Sequence, residues 1–143
     1  GWHMVDRYWD FQRDSWVPSE TALRFEAGSP NSIGQAALHA SAGLFLEFGM
    51  ARVAESVLAN TALLIEELPR IDGIRITSRT EAKRRSGIVS FEHQRVSPEV
   101  IYKGLLAKGV SCAVRGRSVR LSPHFYQGEK ELQAFLDLLA QIV

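Results

Sequence analysis

The chain has 143 residues, of which 45% are apolar and 23% are charged. This length and composition favour one globular domain and exclude a collagen, a coiled coil, a disordered tail and a disulfide scaffold. No segment approaches the roughly 18 consecutive apolar residues of a membrane helix, so no membrane partner is expected. The single cysteine cannot form an internal disulfide. Because the chain also shows no signal-peptide pattern, we expect a cytoplasmic location.

Charge is unevenly distributed along the chain, although the net charge is only +1. Residues 1–69 hold four arginines against nine carboxylates, a net charge of −5. Residues 70–120 hold twelve basic side chains against four carboxylates, a net charge of +8, and residues 121–143 carry −2. A basic middle region attracts anions such as nucleic acid, a phosphate or a carboxylate. The same pattern is typical of an ordinary solvated surface, so both interpretations stay open.

Two consecutive helices are predicted in the first half of the chain. Residues 1–32 contain three tryptophans but no clear element. Ser32 is expected to cap the helix that follows, whose apolar residues recur at helical spacing as far as Phe48. A second helix is expected after Gly49 and ends at Pro69.

From residue 70 onward the pattern predicts alternating strands and helices. The glycine-first pair Gly116-Arg117 is typical of a tight β-hairpin turn. The order β-β-α-β-β-α favours an α+β fold, with a small sheet and helices packed on one of its faces. The predicted strands are Ile74–Thr77, Gly87–Phe91, Val110–Val114 and Ser118–Ser122, and the predicted helices are Ser97–Gly109 and Lys130–Val143.

The hairpin contains the first candidate binding residues. A turn at residues 116–117 pairs 115 with 118 and 113 with 120, which places Arg115 and Arg120 on one face of the sheet. Two guanidiniums on one face favour a bound carboxylate, because the planar arginine fork matches carboxylate geometry. Surface arginines neutralised by nearby carboxylates are the alternative. Cys112 is expected on the opposite, core-facing side as a buried structural thiol.

The sequence gives weaker signals for three other kinds of site. The four histidines show no metal-ligand spacing, so no metal site is expected. His124 lies in a loop beside the arginine face, where a structural role is expected more often than a catalytic one. The loop from Gly28 to Ser32 precedes a helix and offers backbone N–H groups and hydroxyls to an anion. Loops of this kind are also common helix caps.

Four segments, in this order and spacing, resemble the class V aminotransferases. The same family includes cysteine desulfurases, kynureninases and isopenicillin N epimerase-like proteins. Gly1-Trp2 is also similar to the Gly-Trp that follows the cofactor-binding lysine in the epimerase-like branch. The four segments are Arg24–Asn31 (RFEAGSPN), Ser86–Phe91 (SGIVSF), Ala113–Gly116 (AVRG) and Val119–Tyr126 (VRLSPHFY).

The resemblance implies the C-terminal part of a fold type I enzyme that uses pyridoxal 5'-phosphate (PLP). Residues 1–45 would be a remnant of the large PLP-binding domain with its connecting helix, and residues 46–143 the small C-terminal domain. The family's cofactor-binding lysine lies upstream of the Gly-Trp segment, so the resemblance implies no catalytic residue in this chain. The isolated chain is therefore expected to be inactive, and the full-length protein to be a homodimer.

The resemblance also implies roles for five residues. Gly28, Ser29 and Asn31 would contact the cofactor phosphate of the partner subunit. Arg120, helped by Arg115, would bind the α-carboxylate of a small amino-acid substrate. The resemblance leaves open which amino acid is used, and whether the reaction is a transamination, an epimerisation or an elimination.

Two departures from the family pattern bear on this interpretation. The loop that carries the desulfurase cysteine is absent, since only three residues separate Arg115 from Val119, and Cys112 precedes Arg115. Cysteine desulfurase chemistry is therefore less expected. Gln127 replaces the family's usual asparagine, with no effect that the sequence reveals. A non-catalytic module that binds an anion or nucleic acid is the alternative, although Phe91 is the only aromatic residue in the predicted strands, and we expect no nucleic-acid partner.

Overall fold

The computed structural model describes all residues from Gly1 to Val143. They form two compact units, residues 1–44 (unit 1) and residues 45–143 (unit 2).

Unit 1 has no buried residue. Its first 31 residues form two single-turn 3-10 helices, Trp2–Met4 and Ala22–Phe25, and neither has a buried residue. An isolated antiparallel bridge joins Val5 to Pro18, and the Trp2 N–H donates to the Ala27 carbonyl at 2.8 Å. The three tryptophans are all more than half exposed. Backbone hydrogen bonds and exposed aromatic contacts such as Trp2–Phe11, rather than a buried core, therefore order this segment.

The first helix, α1, spans Ser32–Phe48, and the second, α2, spans Met50–Glu67. The prediction that Ser32 caps α1 is wrong, because the Asn31 side-chain oxygen accepts a hydrogen bond from the Gly34 N–H at 2.9 Å. Because Ser32 is itself the first helical residue, the capping residue is the one before it, Asn31. No residue of α1 is buried. No single helix is both long and apolar enough to cross a membrane, and α1 and α2 meet that criterion only when taken together.

Unit 2 contains a four-stranded sheet whose strands all pair antiparallel in the order β1-β2-β4-β3. The predicted element order β-β-α-β-β-α is confirmed. After α2 come β1 (Ile74–Ile76), β2 (Val89–His93), α3 (Pro98–Ala107), β3 (Ala113–Arg115), β4 (Ser118–Leu121) and α4 (Glu129–Ala140).

Local sequence signals account for the register of the β3–β4 hairpin. Gly116 has a φ of +58°, whereas Arg117 does not have a positive φ, which is the pattern of a type II′ turn. The ladder pairs Arg115 with Ser118 and Ala113 with Arg120. The predicted register is therefore confirmed.

Several predicted boundaries differ from the observed ones. Strand β3 begins at Ala113 rather than Val110, because the Val110 N–H donates to the Leu105 carbonyl at 2.9 Å and closes the end of α3. That N–H is no longer available to a strand ladder. Strand β2 lies two residues further along the chain than predicted, and α4 ends at Ala140 rather than Val143.

Helices cover one face of the sheet and leave the other without a helical layer. Alternate strand residues such as Phe91 and Val119 are fully buried beneath α2, α3 and α4. The residues between them, Ser90 and Arg120, face the opposite side and are only partly buried. This one-sided packing is the predicted α+β architecture. The buried apolar cluster consists of Leu64, Leu68, Ile74, Val89, Phe91, Ile101, Leu105, Val119, Leu121, Leu132, Phe135, Leu136 and Leu139.

A buried amide on α2 holds the turn that follows β4. The Asn60 side-chain amide donates to the carbonyls of His124 and Gln127, both at 3.0 Å. The Gln127 side-chain oxygen in turn accepts from the His124 N–H at 2.7 Å. Asn60 is only 9% exposed. The turn from residue 124 to residue 127 is therefore fixed to the core and also braced within itself.

Replacing Asn60 with alanine is expected to lower the free energy of unfolding by about 2 kcal/mol, because two buried hydrogen bonds are lost at roughly 1 kcal/mol each. Urea titration followed by circular dichroism measures this quantity. Gln133→Ala is the matched control, because its side-chain amide bonds to Asp137 at 3.1 Å on an exposed helix face. An Asn60→Ala variant as stable as Gln133→Ala would show that the two contacts to the turn contribute nothing.

Candidate functional site

Arg120 is the main candidate, and it lies on the face of the sheet that the helices leave uncovered. Its cross-strand neighbours are Ser90 on one side and Ala113 on the other, both small. Its Nε atom is buried and has no hydrogen-bond partner, and its guanidinium forms no ion pair within the chain. A buried, unsatisfied guanidinium nitrogen is costly, so this group favours an anionic ligand.

The carboxylate nearest in register on this face does not neutralise Arg120. Glu92 lies on the same strand and the same face as Ser90, and it forms an ion pair with Arg75, its cross-strand partner. Neither Arg115 nor Arg120 forms an ion pair within the chain, so the alternative of two arginines neutralised by nearby carboxylates is wrong for this pair.

Arg115 shares this face with Arg120 but is oriented differently. It is exposed, and its Nη1 donates to the Val114 carbonyl at 2.9 Å. It does not line the cavity beside Arg120. The fold thus brings both predicted arginines to one face, while only Arg120 opens onto a cavity.

A small open cavity of about 230 Å³ lies beside Arg120. Its walls are Ser111, Cys112, Ala113, Arg120 and Ser122. Sequence reasoning missed the two serines, although alternation through the predicted strands Val110–Val114 and Ser118–Ser122 puts residues 111 and 122 on the arginine face. The cavity therefore combines one guanidinium with two hydroxyls and contains no acidic side chain.

Cys112 is less buried than predicted. It packs against the apolar core, as expected from the alternation, but it is only partly buried and also lines the Arg120 cavity. The reason is that β3 starts at Ala113, three residues later than predicted, so Cys112 lies outside the ladder. Burial raises the pKa of the Cys112 thiol. The thiol is therefore a poor nucleophile near neutral pH.

His124 belongs to an aromatic cluster in the turn that Asn60 holds. Its ring stacks on Tyr126 with 4.5 Å between centroids and also contacts Phe125 and Phe45. Its Nδ1 atom is buried without a partner. No group of three or more His, Cys, Asp or Glu side chains is arranged to hold a metal ion.

The loop before α1 lines a separate open cavity in unit 1, of about 460 Å³. Gly28 has a φ of +150°, a conformation that side-chain-bearing residues rarely adopt, and the neighbouring Ser29 is exposed. Both fit an anion that approaches the backbone closely. The Asn31 side-chain oxygen is already used in the helix cap. The wall also contains Trp2, His3 and Pro30, and sequence reasoning gave no site role to Trp2 or His3.

Comparison with known proteins identifies a family and a relative that match most of the chain. Residues 3–135 match the model of the family described as Aminotransferase class-V. An uncharacterized aminotransferase, YcbU, of Bacillus subtilis is 28% identical over 123 residues, which cover 85% of this chain and 32% of that protein. The chain therefore spans about a third of the length of this relative.

Two solved structures share the fold over the full length of this chain. The cysteine desulfurase of Thermococcus onnurineus NA1 has a TM-score of 0.79 at 22% identity, and this chain covers 38% of it. A mutant of the protein C-DES, with glycine covalently linked to its PLP cofactor, has a TM-score of 0.77 at 19% identity. This chain covers 37% of that protein. At these identities the likeness shows the fold.

Alkylation of Cys112 by iodoacetamide is expected to be slower in the native protein than in urea, because burial raises the pKa of its thiol and lowers the thiolate fraction at a given pH. The native rate should also rise at a higher pH than the rate of the denatured chain. Mass spectrometry of the intact protein over a pH series measures both rates. Equal native and denatured rates at pH 7 would show that Cys112 is freely accessible.

Proposed function

Because the chain belongs to the class V aminotransferase family, we propose that it is the C-terminal part of a PLP-dependent enzyme that acts on a small amino acid. Its contribution is recognition of the substrate carboxylate by Arg120. The observation that carries this proposal is the unpaired Arg120 guanidinium, which opens onto a cavity without acidic side chains.

The planar guanidinium of Arg120 binds a carboxylate better than a point charge such as an ammonium group does. Its planar fork donates two parallel hydrogen bonds to the two carboxylate oxygens, which fixes the orientation of the substrate as well as its position. Arg115 on the same face raises the local positive potential without needing to touch the ligand. Small neighbours at Ser90 and Ala113 leave the guanidinium accessible.

In a homodimer, Gly28 and Ser29 of one subunit would bind the phosphate of the cofactor that belongs to the partner subunit. The left-handed backbone at Gly28 and the exposed Ser29 hydroxyl support this role. When bound, PLP supplies the electron sink for reactions at the amino-acid α-carbon. None of the chain's four lysines, all of which belong to unit 2, lies in the sequence context of the family's cofactor-binding lysine. The isolated chain would therefore be inactive.

Two other functions receive less support. Desulfurase chemistry requires a reactive cysteine, whereas Cys112 is partly buried with a raised thiol pKa and the β3–β4 connection is a tight turn. A non-catalytic module that binds nucleic acid is not favoured by the family match, and Phe91, the one aromatic side chain in the strands, is fully buried.

Acetate is expected to bind the 143-residue chain at Arg120 and to produce saturable shifts of the Arg120 Nε–H and the Ala113 backbone N–H in nuclear magnetic resonance spectra. Arg120→Ala should abolish the shift at Ala113, and Arg120→Lys should weaken binding, because one ammonium cannot reproduce the fork. Arg75→Ala is the matched control, since Arg75 lies on the same face but is paired with Glu92.

Neutral acetamide serves as the isosteric control ligand and should cause no saturable shift. Saturable acetate binding that persists in a folded Arg120→Ala variant would contradict the proposed role of Arg120. The absence of any saturable shift in the wild-type chain would contradict it equally.

A further inference from the structure

The cavity beside Arg120 contains two hydroxyls that neither the sequence nor the family resemblance assigns. We infer that Ser111 and Ser122 complete the carboxylate site by donating hydrogen bonds to the carboxylate lone pairs that Arg120 leaves free. This inference rests on the proposed function and extends it from one residue to a three-residue donor set.

Both serines lie just outside the paired strands, and the cavity that they line together with Arg120 places them beside its side chain. Ser122 lies two residues beyond Arg120, and Ser111 lies two residues before Ala113, which is the cross-strand partner of Arg120. Both serines line the cavity of about 230 Å³ together with Arg120, and both are exposed. They therefore flank the guanidinium at the end of the hairpin opposite its turn.

The hydrogen-bonding capacity of a carboxylate explains why further donors are useful. An ionised carboxylate offers about four lone-pair sites, and an arginine fork satisfies two of them. A serine hydroxyl rotates freely and can donate to one of the remaining sites. Ser111 and Ser122 together match the two sites that the fork leaves unused.

The other hydroxyls on this face do not line the cavity, and these include Ser90, the cross-strand neighbour of Arg120. The Ser118 and Thr77 hydroxyls bond to each other at 3.0 Å, and neither residue lines the cavity. The Cys112 thiol, with its pKa raised by burial, stays neutral and adds no negative charge beside the ligand. The cavity thus offers one positive group and two neutral donors, which fits a compact carboxylate.

The test is the acetate titration of the 143-residue chain with serine variants, reported by the Ala113 N–H and the Arg120 Nε–H. Ser111→Ala and Ser122→Ala are each expected to raise the Kd about tenfold or more, because each removes one hydrogen bond to a charged acceptor. Ser122→Thr keeps the hydroxyl and should retain most of the affinity. Ser118→Ala is the matched control and should leave the Kd unchanged.

The outcomes separate this inference from the proposed function. If Arg120→Ala abolishes binding while both alanine variants of the serines retain the wild-type Kd, the role of the serines is wrong and that of Arg120 stands. If Ser118→Ala weakens binding as much as Ser122→Ala, the effect is a general one of the sheet face, and the inference is again wrong. If the wild-type chain binds no acetate, both fail.

Discussion

One-sided packing of the four-stranded sheet determines which strand side chains are buried and which face the uncovered side. Phe91 and Val119 are fully buried beneath the helices, so the residues that alternate with them must face away. A shift of one residue in register would expose those side chains and bury Arg120 instead. Burying the apolar face is the dominant favourable term in folding. The burial of the apolar face that stabilises the sheet therefore also places Arg120 on the uncovered face.

The turn after β4 connects this sheet to the helical layer. Asn60 on α2 bonds to two carbonyls of the turn, and Gln127 braces it from within. Because a buried amide left without partners is costly, the turn has little freedom to move away from α2. Ser122 lies between Arg120 and this turn. Strand β4, which borders the cavity beside Arg120, is thus fixed at both ends. The Gly116 turn holds its start, and the turn bound by Asn60 follows its end.

Local patterns in the sequence predicted much of this arrangement. Strand alternation and the Gly116-Arg117 pair were sufficient for the hairpin register and for the common face of Arg115 and Arg120, because each depends on residues close together in the chain. The cap of α1 was misassigned by one residue, since Asn31 and Ser32 are both good capping residues and only the helix start decides between them.

Long-range contacts were not predictable in the same way. Asn60 is separated from the turn by more than 60 residues, and an asparagine within a helix gives no sign of its partners. The partial exposure of Cys112 follows from the Val110 hydrogen bond that delays β3, which alternation alone does not reveal. The hydrogen bond from Arg115 to the Val114 carbonyl likewise depends on the side-chain rotamer, which the strand alternation does not determine.

The central claim is that Arg120 binds the substrate carboxylate, and the kcat/KM of a longer enzyme carrying this chain tests it most directly. Arg120→Ala is predicted to lower kcat/KM about a hundredfold or more, because two charge-assisted hydrogen bonds of about 1.5–3 kcal/mol each are lost. Folding should be nearly unaffected, since the side chain is outside the core. An unchanged kcat/KM in a folded Arg120→Ala enzyme would contradict the claim.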